Sequence, residues 1–336
     1  VLVSGELNRD NYMSYVAEMV DGIKLLSMND LKEITTNLES FNKSLEEMDA
    51  ADNTMNSPIC YSKIDTTRRL NELEVHNFQK FVDRDYKVTL PSPYLLTRSM
   101  WLREITGKVY EGRKELGQDV IELLKNEIRH LVEEGVKIIQ IDEPILSEVV
   151  FTNEKADNSF YWGALSEKVK VDKELKFARE LLEPVLEEIR KHDGVLSIMH
   201  VCRGNWTTDE SVLLQGAYDK LGKFFDALDL DMLALEFSTP RAGEVEKLFS
   251  NNFLDTRVML GFGCVNPRSE VIETPEEIVS RVEELLQFLP PERIWLNPDC
   301  GFATFAKRPL NPYPIIQKKL ENMVAASKIL REKYCK

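Results

Sequence analysis

Seven short apolar runs punctuate this chain, at Val1–Val3, Tyr86–Leu90, Val136–Ile141, Val195–Val201, Met232–Glu236, Val258–Gly263 and Ile294–Asn297. Most are continuously apolar rather than alternating, as strands covered on both faces must be. Helical stretches lie between them. Gly117–Glu134 carries Val120, Ile121, Leu124, Ile128, Leu131 and Val132 at close to helical spacing, and Asp172–Lys191 and Pro275–Leu289 read alike. Thr274-Pro275-Glu276-Glu277 marks a helix start, with Thr as cap, Pro at the first helical position and acids near the positive end of the dipole. Strands and helices alternating in this way predict an α/β fold with a parallel sheet. Seven strands fall one short of a closed TIM-type (β/α)8 barrel. Pro58–Ile64 offers either the eighth strand or an extra hairpin, and the alternative is a first βα unit missing upstream of Val1. Residues 30–85 and 152–170 read as insertions, and nothing resembles an interdomain linker, so residues 1–336 are expected to form one domain.

Charge narrows the partners. The chain has 43 Lys+Arg against 57 Asp+Glu and a formal net charge of −14, which argues against a nucleic-acid phosphate surface or an anionic membrane as main partner. No apolar run approaches the ~18 residues of a membrane span, and no basic-then-apolar leader opens the sequence. Five cysteines, Cys60, Cys202, Cys264, Cys300 and Cys335, are few and odd in number, which suits cytoplasmic thiols or metal ligands better than a disulfide scaffold.

The polar residues that matter sit at the carboxyl ends of strands, where parallel barrels assemble their active sites. Ile141-Asp142-Glu143-Pro144 closes one strand with two adjacent carboxylates, of which only one can face a barrel mouth; Asp142 is expected to be that one. The bland alternative is a pair of helix-capping acids. His200-Val201-Cys202 closes the next strand. On an extended backbone residues i and i+2 point the same way, so imidazole and thiolate can address one point and supply half of a tetrahedral zinc site. Glu236 and Cys300, at later strand ends, are placed to complete it, since zinc accepts nitrogen, sulfur and oxygen together. For a lone His-x-Cys the structural reading would prevail; further ligand-type residues at the later strand ends reverse that balance.

These blocks resemble the catalytic barrel of the cobalamin-independent methionine synthase family. The likeness runs through Val1-Leu2-Val3-Ser4-Gly5-Glu6-Leu7-Asn8-Arg9-Asp10-Asn11-Tyr12-Met13, Ile139 to Pro144, His200-Val201-Cys202, Leu235-Glu236 and Pro290 to Gly301, in the family's order over nearly the whole chain. The resemblance implies catalytic zinc on His200, Cys202, Glu236 and Cys300, with homocysteine taken up as a thiolate to which a methyl group is transferred. It also implies that Glu6 and Asp142 hold the substrate ammonium, and that Glu148 lies near the pterin of a methylated folate. A bound zinc deprotonates a thiol that otherwise titrates near pH 8.5.

The donor side departs from the family. Asn53-Thr54-Met55-Asn56-Ser57 stands where folate-dependent members have Arg-Gly, Ser99 or Trp101 stands near their Trp, and Arg268 aligns with their proton-donating His. Arg keeps its proton at any workable pH and is not an ordinary general acid, but it could bind an anion. The donor is therefore expected to be methyltetrahydrofolate or a methyl-corrinoid. Two other readings compete: alkyl transfer to another thiol such as coenzyme M, and a non-catalytic zinc-binding barrel. A sulfonate thiol would need cations where Glu6 and Asp142 stand, and a mixed Cys/His/Glu set resembles an open catalytic site more than a closed structural one.

Overall fold

A computed structural model describes residues 1–34, 56–151, 170–306 and 308–335. It divides into two compact units, Val1–Ser197 and Ile198–Lys336. The insertion expected at 152–170 lies almost wholly, and the one expected at 30–85 partly, on residues 152–169 and 35–55, which are outside the described residues.

In the first unit, β1 (Leu2–Val3), β4 (Tyr86–Pro91) and β5 (Ile138–Asp142) pair in parallel, with Val3 opposite Lys87 and Pro91 opposite Asp142. Between them come α1 (Val16–Met19), β2 (Ile23–Ser27), α2 (Met28–Ile34), β3 (Asn56–Cys60), α3 (Glu72–Gln79), α4 (Pro93–Ser99) and α5 (Arg113–Glu133). The unit continues through α6 (Ile145–Phe151) and α7 (Val171–Arg190) to the start of β6 (Leu196–Val201), whose Leu196 N–H donates to Lys137 O. β3 pairs antiparallel with β2, Cys60 opposite Ile23. The segment around Pro58 is thus the extra hairpin and not an eighth parallel strand.

Helix α5 shows why the apolar spacing was informative. Leu116, Val120, Leu124, Ile128 and Leu131 are all fully buried, as are Leu182, Val185 and Ile189 of α7. A Cβ on Gly117 would stand 2.6 Å from a methyl of Leu181, so the missing side chain sets how closely the two helices approach. Glu127, fully buried in α5, accepts from Arg69 Nε at 2.9 Å and from the backbone N–H groups of Leu70 and Asn71, tying that loop down.

The second unit takes up β6 and runs through α8 (Asp219–Asp226), β7 (Met232–Glu236), α9 (Leu254–Arg257), β8 (Met259–Val265), α10 (Pro275–Leu285) and β9 (Ile294–Pro298). A short antiparallel pair, β10 (Ala303–Phe305) and β11 (Arg308–Pro309), precedes α11 (Tyr313–Tyr334). β6, β7, β8 and β9 are parallel neighbours in that order, with a register irregularity between Gly263 and Val265. α10 starts as its sequence predicts: Thr274 accepts from Glu277 N while Glu277 accepts from Thr274 N, a complete capping box with Pro275 inside.

The protein is thus α/β with seven parallel strands taken in chain order. An eighth parallel strand is not found among the described residues. No helix among them is long and apolar enough to cross a membrane.

Candidate functional site

The second unit gathers the ligand-type residues. β6 carries His200 opposite Ala234 of β7, and His200 Nδ1 lies 2.9 Å from Ala234 O. A carbonyl can only accept, so Nδ1 donates and Nε2 is the ring nitrogen left to face a ligand. That nitrogen lies 3.5 Å from Cys300 Sγ, just past the end of β9. Cys202, buried one residue beyond β6, completes a group in which one ring nitrogen and two sulfurs lie within 4.8 Å of one another. The Cys300 hydrogen bond, with help from His200, overcomes burial and holds the Cys202 thiol down at about 5. The same bond and burial hold Cys300 well above the usual thiol range.

Glu236 ends β7 close by but is engaged otherwise. Its carboxylate, almost wholly buried, accepts from Arg203 N at 2.9 Å and sits 3.4 to 3.7 Å from the guanidinium groups of Arg268, Arg241 and Arg203. The structure therefore brings His200, Cys202 and Cys300 together and leaves the fourth expected ligand beside them, in an arginine cage. Tyr218 fixes the two strand ends, donating to Val201 O at 2.7 Å and accepting from Glu236 N at 3.1 Å.

Arg268, which the sequence marks as the departure from the family's proton donor, has no exposed side chain. Its N–H groups go to Glu210 (3.1 Å), Asn205 (3.2 Å), Glu236 (3.4 Å) and Asp299 (2.8 Å). It is thus already neutralised by this chain's own carboxylates. Asp299 accepts in addition from the backbone N–H groups of Phe237 and Ser238 and from the Ser238 hydroxyl. Burial pushes its carboxyl up. The reading from sequence missed Arg203, Arg241 and Asn205. Arg203 directly follows the His-x-Cys block, which is the one signal that could have flagged it.

The expected substrate carboxylates lie in the first unit. Glu6 follows β1 with φ at 55°, the left-handed region that few side chains other than glycine adopt, and takes the Thr89 hydroxyl of β4. Asp142, at the end of β5, accepts from Gln140 Nε2 at 2.6 Å and is half-buried. Its neighbour Glu143 points the other way, fully buried, and accepts from the Ser92 hydroxyl and the N–H groups of Leu95 and Ile145. Glu148 of α6 is paired with Arg98 of α4 at 2.9 Å, both sides nearly buried. Ser99 is buried and donates to Leu95 O.

The family model described as the catalytic domain of cobalamin-independent synthase matches residues 1–175 and 199–329. The chain belongs to that family. The methionine synthase of Sulfurisphaera tokodaii is 28% identical over 334 residues, covering 99% of this chain and 77% of that protein. The methionine synthase of Saccharolobus solfataricus is 28% identical over 246 residues, 73% of this chain, and there the match spans only 58% of the relative. Among solved structures, a B12-independent methionine synthase from Shewanella sp. W3-18-1 in complex with selenomethionine superposes with a TM-score of 0.71 over 99% of this chain and 83% of that one. At 18% identity that likeness concerns the fold.

Proposed function

We propose that this cobalamin-independent synthase domain is a zinc-dependent methyltransferase that moves a methyl group onto the thiolate of homocysteine, forming methionine. The methyl donor in this reading is a methylated folate or a methyl-corrinoid. The observation that carries the reading is the His200, Cys202, Cys300 group, whose three donor atoms lie within 4.8 Å of one another. Two sulfurs and an imidazole nitrogen are a soft donor set that suits zinc over hard cations. The Ala234 carbonyl 2.9 Å from His200 Nδ1 suits the metal too, because it orients the ring so that Nε2 faces the sulfurs, as carbonyls commonly do behind ligating histidines.

Zinc bound there would supply Lewis acidity, lowering the pKa of a substrate thiol while leaving its sulfur nucleophilic. The remaining work falls to side chains. Glu236 is the fourth ligand in this reading, held at the spot by Arg203, Arg241 and Arg268. Arg268 then acts by positioning Glu236 and Asp299, and the proton-donor role of the family's His passes to another group or to water. Glu6 and Asp142 bind the α-ammonium of homocysteine, a chemically matched pairing of carboxylates with a cation. Glu148, paired with Arg98 at 2.9 Å, belongs to the donor side in this reading. The seven parallel strands are read as those of a TIM-type barrel, residues 1–336 as one methyltransferase domain, and the cytoplasm as its compartment.

Zinc content of the purified protein tests the assignment. The wild type should hold one zinc per chain, and Cys300→Ser should lose most of it together with all methyl transfer, because a hydroxyl is a far weaker donor than a thiolate. Full zinc with retained activity in Cys300→Ser overturns the ligand set.

A further inference from the structure

We propose that Lys87 recognises the α-carboxylate of the amino-acid substrate, so that the polar cluster of the first unit selects a zwitterion rather than an amine. This rests on the homocysteine reading above and names a specificity residue within it. In the sequence Lys87 interrupts an otherwise apolar strand, Tyr86-Lys87-Val88-Thr89-Leu90, where a charge is costly unless it is used.

The strand geometry gathers what it needs. Lys87 and Thr89 lie two apart on β4, Gln140 and Asp142 two apart on β5, and Thr89 stands in register with Gln140. All four side chains therefore project from one face of the sheet. Lys87 Nζ donates to Gln140 Oε1 at 2.6 Å, Gln140 Nε2 donates to Asp142 Oδ1 at 2.6 Å, and the Thr89 hydroxyl donates to Glu6. The ammonium thus bonds to a neutral amide, which in turn bonds to Asp142. Burial lowers the Lys87 pKa and outweighs Asp142 and Glu6, whose charges both pull it upward. Lys87, Asp142 and Glu6 are each only half-buried, whereas Thr89 and Gln140 between them are buried.

Two carboxylates alone would attract the ammonium of an α-amino acid and repel its carboxylate. An ammonium in the same cluster removes that repulsion and gives the substrate carboxylate a partner. Glu6 is held in its left-handed conformation within this arrangement, the kind of local strain that accompanies binding sites.

Calorimetric titration of the zinc-loaded protein tests this with two thiols, homocysteine and 3-aminopropane-1-thiol, which keeps the thiol, the chain and the ammonium but lacks the carboxylate. The wild type should prefer homocysteine by about 10- to 100-fold, the range of one charge-assisted hydrogen bond. Lys87→Met should bring the two affinities to within about threefold, and Lys87→Arg, which keeps the cation, should restore most of the preference. Should Lys87→Met fail to fold, Lys87→Gln carries the same comparison. A preference unchanged in the uncharged variant, or equal binding of the two thiols by the wild type, overturns the role of Lys87 while leaving the homocysteine reading intact. A wild type that binds neither thiol overturns the homocysteine reading itself, and this inference with it.

Discussion

Buried at the end of β5, Glu143 is surrounded by donors, the Ser92 hydroxyl and two backbone N–H groups, yet burial outweighs them and pushes its carboxyl up to about 7. The folded state therefore keeps a proton that the unfolded chain, with its carboxyl near 4.5, has released. The stability this confers is fully present below about pH 4.5 and is lost as pH rises through about 7. Measured by denaturant melts, wild-type stability relative to Glu143→Gln should fall by about 2 kcal/mol between pH 5.5 and pH 8. A difference that does not change with pH contradicts the protonated state. Its neighbour Asp142 makes the contrasting case. Asp142→Asn should keep zinc and weaken homocysteine binding by about 10- to 100-fold, as expected for losing a charge-assisted bond; unchanged affinity in a binding titration refutes its role.

Elements place these residues, and glycines decide how closely the strands beside the His200, Cys202 and Cys300 group can pack. A Cβ on Gly263 of β8 would meet Asp299 Oδ1 at 2.5 Å and Leu235 O at 2.6 Å. The second of these is backbone and cannot step aside, so Gly263→Ala should cost about 1–3 kcal/mol by thermal melting, and zinc affinity should fall with it. A melt equal to wild type would mean that β7 and β9 yield more easily than their packing implies. Elements were also what the sequence conveyed best. Continuous apolar runs gave β5, β7 and β8, whose burial along nearly the whole strand leaves no room for alternation, and Thr274 with Glu277 gave the start of α10 to the residue. Pro58–Ile64 stayed ambiguous because pairing direction depends on the partner strand, and β2 is too mixed in character to announce itself. In the site, His200 and Cys202 were legible from strand periodicity, and Cys300 from its place after the last strand. The arginine cage around Glu236 was not, since Arg203 and Arg268 lie in loops and Arg241 in a single 3-10 turn, whose courses only the folded chain reveals.

For the molecule as a whole, family membership rests on a match over most of the chain, while donor choice rests on the few positions where it departs. Arg98 on Glu148, and Arg268 among its own carboxylates, are charge arrangements that leave no spare acid at those points. The proposed activity is decided most directly by methionine formation from homocysteine, with methyltetrahydrofolate and methylcobalamin offered separately to zinc-loaded and to chelator-stripped protein. The account expects methionine from at least one donor, abolished by stripping and restored by zinc. Methionine made equally well without metal, or none from either donor by protein holding its full zinc, would contradict it.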